Sequence, residues 1–192
     1  MIQTFGILAS ILLLLAGTFI LLQVKRGVST PNLTTWFVNL SVSAINAFTF
    51  HQVVNSNIYQ SLIMFMSLLT LIVIFFYTMS KGKFAKLSRL DMILFILALF
   101  VGIMWKLTDD RLANFLVQIV MFIANLATVI GLWQKKLREY YVSWIFAVSA
   151  YIVAITGLLL SSNHDWLAYF GPILNGIIGN GLVLILSSKT KK

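Results

Sequence analysis

The stretch Gly27–Ser80, GVSTPNLTTWFVNLSVSAINAFTFHQVVNSNIYQSLIMFMSLLTLIVIFFYTMS, contains no aspartate, glutamate, lysine or arginine. A bilayer core about 30 Å thick takes about 20 apolar residues per helix, so this stretch is long enough for two spans. Its natural break is Asn55-Ser56-Asn57, a cluster of turn-forming residues, which predicts helices over Leu33–Val54 and Ile58–Met79. Upstream, Met1–Val24 is uncharged and reads as one span. Downstream, Leu112–Trp133, Val142–Leu160 and Trp166–Ser187 read the same way. Met92–Trp105 is shorter and becomes a span by borrowing Leu90, Asp91, Lys106 and Leu107 at its interfaces, where long side chains carry their charge to the headgroups. The expected fold is an all-α integral membrane protein of seven helices.

Composition agrees. The 192 residues are 60% hydrophobic and 10% charged, against about 45–50% and about 25% in soluble domains. Five acidic residues cannot clothe a water-soluble particle of this size. The net charge of +9 comes from lysines and arginines clustered between spans rather than along one helix face, which argues against a nucleic-acid partner. There is no cysteine, hence no disulfide, thiolate metal site or cysteine nucleophile. His51, His164 and Asp165 do not make a metal-ligand set, and no cofactor is expected. The first segment lacks a basic leader and a small-residue cleavage site, so it reads as a retained helix rather than a signal peptide.

Seven spans put Lys25, Arg26, Lys81, Lys83, Lys86, Arg89, Lys135, Lys136, Arg138, Lys189, Lys191 and Lys192 on one side, and only Lys106 and Arg111 on the other. Cytoplasmic loops collect basic residues, so the expectation is a multi-pass protein of the plasma or inner membrane, N-terminus outside and C-terminus cytoplasmic. Asn32-Leu33-Thr34 matches a glycosylation pattern but falls on the inner side.

Sliding the chain along itself until Thr35-Trp36 lies on Ser143-Trp144 also lays Asn55 on Asn163, Lys81 on Lys189 and Lys83 on Lys191. A two-residue gap brings Lys25-Arg26 onto Lys135-Lys136 and Gln23 near Gln134. Spans 1–3 therefore correspond to spans 5–7, with span 4 as the linker that restores orientation, giving two parallel three-helix repeats (3+1+3). The expected boundaries are 1–83, 84–108 and 109–192.

In this plan the chain resembles the SWEET and PQ-loop transporters and the PnuC vitamin transporters. Leu22-Gln23-Val24-Lys25 through Ser29-Thr30-Pro31 to Thr34-Thr35-Trp36 resembles a PQ-loop helix end and the start of the next helix. Trp133-Gln134-Lys135-Lys136 to Ser143-Trp144 resembles its second copy. Pro172, Asn175-Gly176 and Gly179 resemble the Pro-Asn-Gly signature of span 7, though no proline precedes Gln23 or Gln134. The resemblance implies a small-solute transporter that works by alternating access.

Polar residues inside spans face a cavity or another helix. Trp36, Asn39, Ser43 and Asn46 share one face of span 2, and Thr30-Pro31 offers an N-cap with proline at the first helical position. The matching face of span 6 carries Trp144, Ala147, Tyr151 and Ala154. Asn114, Gln118, Asn125 and Thr128 line one face of span 5. In span 7, Pro172 frees a carbonyl and kinks the helix, followed by Asn175, Gly176, Gly179 and Asn180. Span 3 offers only Ser67 and Thr70. Each stripe reads equally as cavity lining or as interhelical glue, and the two tryptophans as gates or as an interfacial belt.

The candidate solute-binding residues are Asn39, Ser43, Asn46, Asn125, Tyr151, Asn175 and Asn180. Trp36, Trp144, Gln23 and Gln134 are the candidate gates, and Pro172 and Gly176 the hinge. Asp91 and Asp109-Asp110 read as interfacial caps. No charged residue lies deep in a span, which argues against proton coupling and leaves His51 as the near-membrane titratable group. No nucleophile–base pair is visible, so an enzyme is not expected. The expectation is a facilitative transporter of a sugar, nucleoside or vitamin, compatible with a homo-oligomer. The alternative is a receptor or assembly scaffold on the same fold.

Overall fold

The computed structural model describes residues 1–31, 33–81, 89–161 and 165–189. Asn32, Lys83, Lys86, Asn163, His164, Lys191 and Lys192, together with the side chain of Asp91, lie outside what it describes.

The described residues form helices α1 (Ile2–Lys25), α2 (Leu33–Val53), α3 (Ile58–Ser80), α4 (Arg89–Leu107), α5 (Asp110–Trp133), α6 (Tyr141–Leu159) and α7 (Trp166–Lys189), with no named strand among them. Side-chain caps set several starts. Asn57 accepts from the backbone N–H of Tyr59 and Gln60 at 3.1 and 3.3 Å, after a tight turn in which Asn55 and Ser56 adopt left-handed φ of 54° and 57°. Asp109 takes the N–H groups of Arg111 and Leu112, both at 2.9 Å, and Asp165 that of Leu167 at 3.0 Å. Each supplies an acceptor to a helix end whose first donors have no intrahelical partner.

Helices α1, α3, α5, α6 and α7 are long and apolar enough to cross a bilayer by length and composition, and Met92–Leu107 is a shorter apolar helix. The amides and hydroxyls of α2 dilute its apolar content. Large side chains such as Phe76, Ile96, Ile103, Ile152 and Ile185 are exposed around the outside, an arrangement stable against lipid and costly against water. The chain is a helical, membrane-embedded protein.

Packing follows a consistent order. Helix α3 packs on both α1 and α2, and α7 on both α5 and α6; α1 packs on α6, α2 on α5, and α4 against the outer side of α2 and α5. Helix starts fall in pairs, Ile2 with Asp110, Leu33 with Tyr141 and Ile58 with Trp166, all at the offset that lays Trp36 on Trp144. The turns after α1 and α5 match bond for bond at the same offset. Gln23 O accepts from Val28 N (2.9 Å) and Ser29 N (3.4 Å), as Gly131 O does from Lys136 N (2.9 Å) and Leu137 N (3.1 Å). Gly27 and Lys135 share the left-handed conformation, at φ 71° and 58°. The two-residue gap that pairs lysine with lysine is therefore not what the backbone uses. Gln23 corresponds to Gly131 rather than to Gln134, because hydrogen bonding sets the register and side-chain identity does not.

The N-cap expected at Thr30 is also corrected. Thr30 N–H donates to Arg138 O at 2.9 Å, an antiparallel bridge between the two turns, and α2 begins at Leu33.

Helix α7 changes pitch at the proline. Pro172–Gly179 forms a π-helical segment. A proline has no N–H to offer the preceding turn, and the wider i→i+5 winding absorbs the defect.

Candidate functional site

Two polar assemblies occupy the centre of the bundle. The first is a cluster of amides. Asn46 Oδ1 accepts from Asn114 Nδ2 at 3.1 Å and Gln118 Nε2 at 2.6 Å. Asn114 Nδ2 also donates to Thr49 Oγ1 at 3.0 Å. Asn175 Nδ2 donates to the Gln118 carbonyl and to Gln118 Oε1, at 3.0 and 2.8 Å, and Asn46 Nδ2 meets the Met64 sulfur at 3.6 Å. All four amides are buried, and Asn114 Oδ1 and Asn175 Oδ1 are buried without a hydrogen bond. For Asn46 and Gln118 the glue reading holds, because their amides are used on each other.

The second is a cavity of about 100 Å³ beside this cluster, toward the basic helix ends. That is several times the 10–15 Å³ or so one water needs. Asn39, Asn125, Asn175 and Asn180 line it together with Trp36, Trp144 and Tyr151, and Ser67, Thr70 and Thr128 add hydroxyls. Every helix except α4 contributes. Asn39 Nδ2 donates to Asn125 Oδ1 at 3.2 Å, while Asn39 Oδ1 is buried without a partner. At the cavity edge Thr35 Oγ1 donates to the Ala124 carbonyl at 3.0 Å and accepts from Thr128 Oγ1 at 3.1 Å. The Tyr151 ring lies on Gly176, where any side chain would collide with it; this close approach is what the glycine permits.

Of the residues singled out from sequence, Asn39, Asn125, Tyr151, Asn175, Asn180, Trp36 and Trp144 converge on the cavity. Asn46 lies in the amide cluster, and Ser43 is buried off the cavity with its hydroxyl unpartnered. Gln23 is buried behind the turn, accepting from Ser143 Oγ at 3.4 Å, with its Nε2 unpartnered. Gln134 is exposed at the end of α5, away from the cavity. Pro172 and Gly176 are buried in the π segment. Among the described residues no cluster of three metal-ligating side chains occurs.

One residue that the sequence did not mark is Glu139. It lies in the α5–α6 turn yet is 5% exposed, and its Oε2 accepts from Ser29 Oγ at 2.9 Å. Burial pushes its carboxyl up to about 7, against the lowering effect of the Ser29 hydroxyl and the Trp144 indole. Among basic neighbours it reads as a solvated loop charge. Its being the chain's one glutamate, falling on Pro31 at the sequence offset that lays Trp36 on Trp144, was the available signal.

At the opposite end Arg111 on α5 pairs with Asp165 at the start of α7, with Arg111 Nη2 donating to Oδ1 at 3.1 Å. This is an exposed pair that ties two helix ends together and is worth under about 1 kcal/mol. Compared with protein-family models, curated proteins and solved structures, the chain matches none.

Proposed function

We propose that the chain is a facilitative transporter of a small polar solute, such as a sugar, nucleoside or vitamin. It is built from two parallel three-helix units, 1–83 and 109–192, joined by α4. The observation that carries this reading is the cavity. Four amides supply donors and acceptors, three aromatic rings supply flat apolar faces, and the walls come from both units while the linker helix stays outside.

The constant offset between paired helix starts, the matched turns and the placement of α3 and α7 within their triplets support the two-unit plan. The resemblance to SWEET, PQ-loop and PnuC transporters supports it from the sequence side. The distribution of Lys and Arg supports seven spans with the N-terminus outside and the C-terminus cytoplasmic, in a plasma or inner membrane.

Two seams join the units, and they differ. Helices α2 and α5 are laced by hydrogen bonds at Thr35, Asn39, Asn46 and Thr49. The equivalent positions in α6 are Ser143, Ala147, Ala154 and Gly157, and the α1–α6 seam is largely apolar, with Phe19 stacked on Phe146 at 5.2 Å. Rocking one unit on the other pivots at the hydrogen-bonded seam and slides at the apolar one, with the π segment of α7 taking up the change.

The amide cluster favours a second reading, a receptor or scaffold that moves nothing, because amides bonded to one another are not available to a solute. Uptake into proteoliposomes separates the two. Asn180 lines the cavity and its side chain makes no hydrogen bond among the described residues, so Asn180→Leu alters the wall without untying the bundle. The expected result is saturable downhill uptake of one solute class, reduced about tenfold by Asn180→Leu. No uptake from a panel of sugars, nucleosides and vitamins, and no thermal stabilisation by any of them, leaves the scaffold.

A further inference from the structure

Glu139 sits where three parts of the basic end meet. Ser29, its hydrogen-bond donor, belongs to the turn after α1. Immediately before Glu139, the backbones of the two turns cross at the Thr30–Arg138 bridge. Further on, at the start of α6, Trp144 forms part of the cavity wall. Glu139 Oε1 and Trp144 Nε1 are both buried and make no hydrogen bond. A neutral acid is tolerable there. A carboxylate is not, because the Ser29 hydroxyl and the nearby Trp144 indole offset only part of the cost of burying its charge, and burial accordingly raises the carboxyl to about 7.

Among the described residues, the other charged and titratable groups at this end are Lys25 and Arg26 at the end of α1, Tyr77 and Lys81 at the end of α3, Lys135, Lys136 and Arg138 on the same turn, Tyr140 beside Glu139, Tyr141 on α6 and Lys189 on α7. The lysines and arginines are exposed, and none forms an ion pair with Glu139 among the described residues.

We propose that Glu139 is a proton-binding site that gates the basic end of the cavity. With the proton on, the carboxyl stays between Ser29 and Trp144 and the crossed turns remain closed; with it off, the carboxylate draws in water and the turns part. This rests on the transporter reading and adds to it a proton linked to one gate. It reverses the expectation from sequence that no carboxylate is placed for proton coupling, since that expectation counted only residues within spans.

The chain has no cysteine, so Ala147→Cys places a single thiol on the cavity wall. Its labelling by a membrane-impermeant thiol reagent is measured in lipid nanodiscs from about pH 5.5 to about pH 8.5, across the titration of the raised carboxyl. Each rate is divided by that of the same cysteine in a Glu139→Gln background, which cancels the ionisation of the thiol itself. The ratio is expected to rise at least about threefold with a midpoint at about 7. Ser29→Ala is expected to move the midpoint upward, because it removes a donor to the ionised form. A ratio that stays flat overturns the gate. Labelling needs no solute, so a rising ratio without uptake of any solute removes the transporter reading alone, and uptake with a flat ratio removes the gate alone.

Discussion

Helices α1–α3 and α5–α7 start at one constant offset and fill it with different chemistry, most visibly at their first turns. In the turn after α1 the large side chain enters from the helix end, as Gln23, and the later position is the small Ser29. In the turn after α5 the helix end is Gly131 and the later position is Leu137. A methyl group on Gly131 would collide with Leu137, so in the second turn the later position supplies the bulk and the helix end leaves room for it. Where the first turn has Pro31, the second has Glu139. Backbone hydrogen bonds are shared between the two regions because the carbonyls at each helix end, left without intrahelical donors, are met by the N–H groups of the turn that follows. Volume and charge, which the backbone does not dictate, have been redistributed.

The largest test of that difference is the charge. The Glu139 carboxyl sits at about 7 in the fold against an ordinary 4.5, so the folded state binds its proton more tightly than the unfolded chain does. Its contribution to stability is therefore lost as pH rises from about 4.5 to about 7, and stays lost above that. Glu139→Gln is expected to raise stability by up to about 3 kcal/mol near pH 8 and to leave it unchanged near pH 4. Thermal unfolding in micelles, read as the difference between the two proteins at each pH, checks it. A difference independent of pH would mean that Glu139 is ionised in the fold and that the two turns do not differ in this way.

Next in size is the volume exchange. Gly131→Ala is expected to cost about 2 kcal/mol, because Leu137 is buried and has nowhere to move. Gln23→Ala is expected to cost less, about 1 kcal/mol, since Gln23 Nε2 is already unpartnered and only the Ser143 bond is lost. Gly131→Gln combined with Leu137→Ser gives the second turn the pattern of the first and should cost less than the sum of the two single changes. Additive costs in that double variant would show that the two positions do not share one space.

How much of this was legible in the sequence follows from what each level of structure demands. Helix bounds were readable to within a residue or two at nearly every end, since the apolar length needed to cross lipid is written directly into the chain. The Asn55-Ser56-Asn57 turn and the Asp109 cap were readable for a similar local reason: those side chains bond to backbone two or three residues away. The cavity wall was readable as faces, and Asn39, Asn125, Asn175 and Asn180 do converge. The pairing of Asn46 with Asn114 and Gln118 was not, because the period of one helix says which residues share a face but not which neighbour that face meets. Glu139 was hidden by its setting. A carboxylate among lysines reads as solvated, and only the crossing of two turns far apart in the chain buries it.

The smallest test concerns the one torsion that both turns share. Gly27 and Lys135 are both left-handed, which costs a residue with a Cβ about 1 kcal/mol and a glycine almost nothing. If the two turns are equivalent in backbone, the strain belongs to the position and not to the residue. Gly27→Ala should then lose about 1 kcal/mol, while Lys135→Gly should gain somewhat less, because glycine also has more freedom to lose from the unfolded chain. Both are exposed, so neither change alters packing, and chemical denaturation of the pair reads the torsion alone. A loss on Lys135→Gly would mean that the lysine side chain holds the second turn by a contact of its own, and the equivalence of the two backbones would then stop short of this residue.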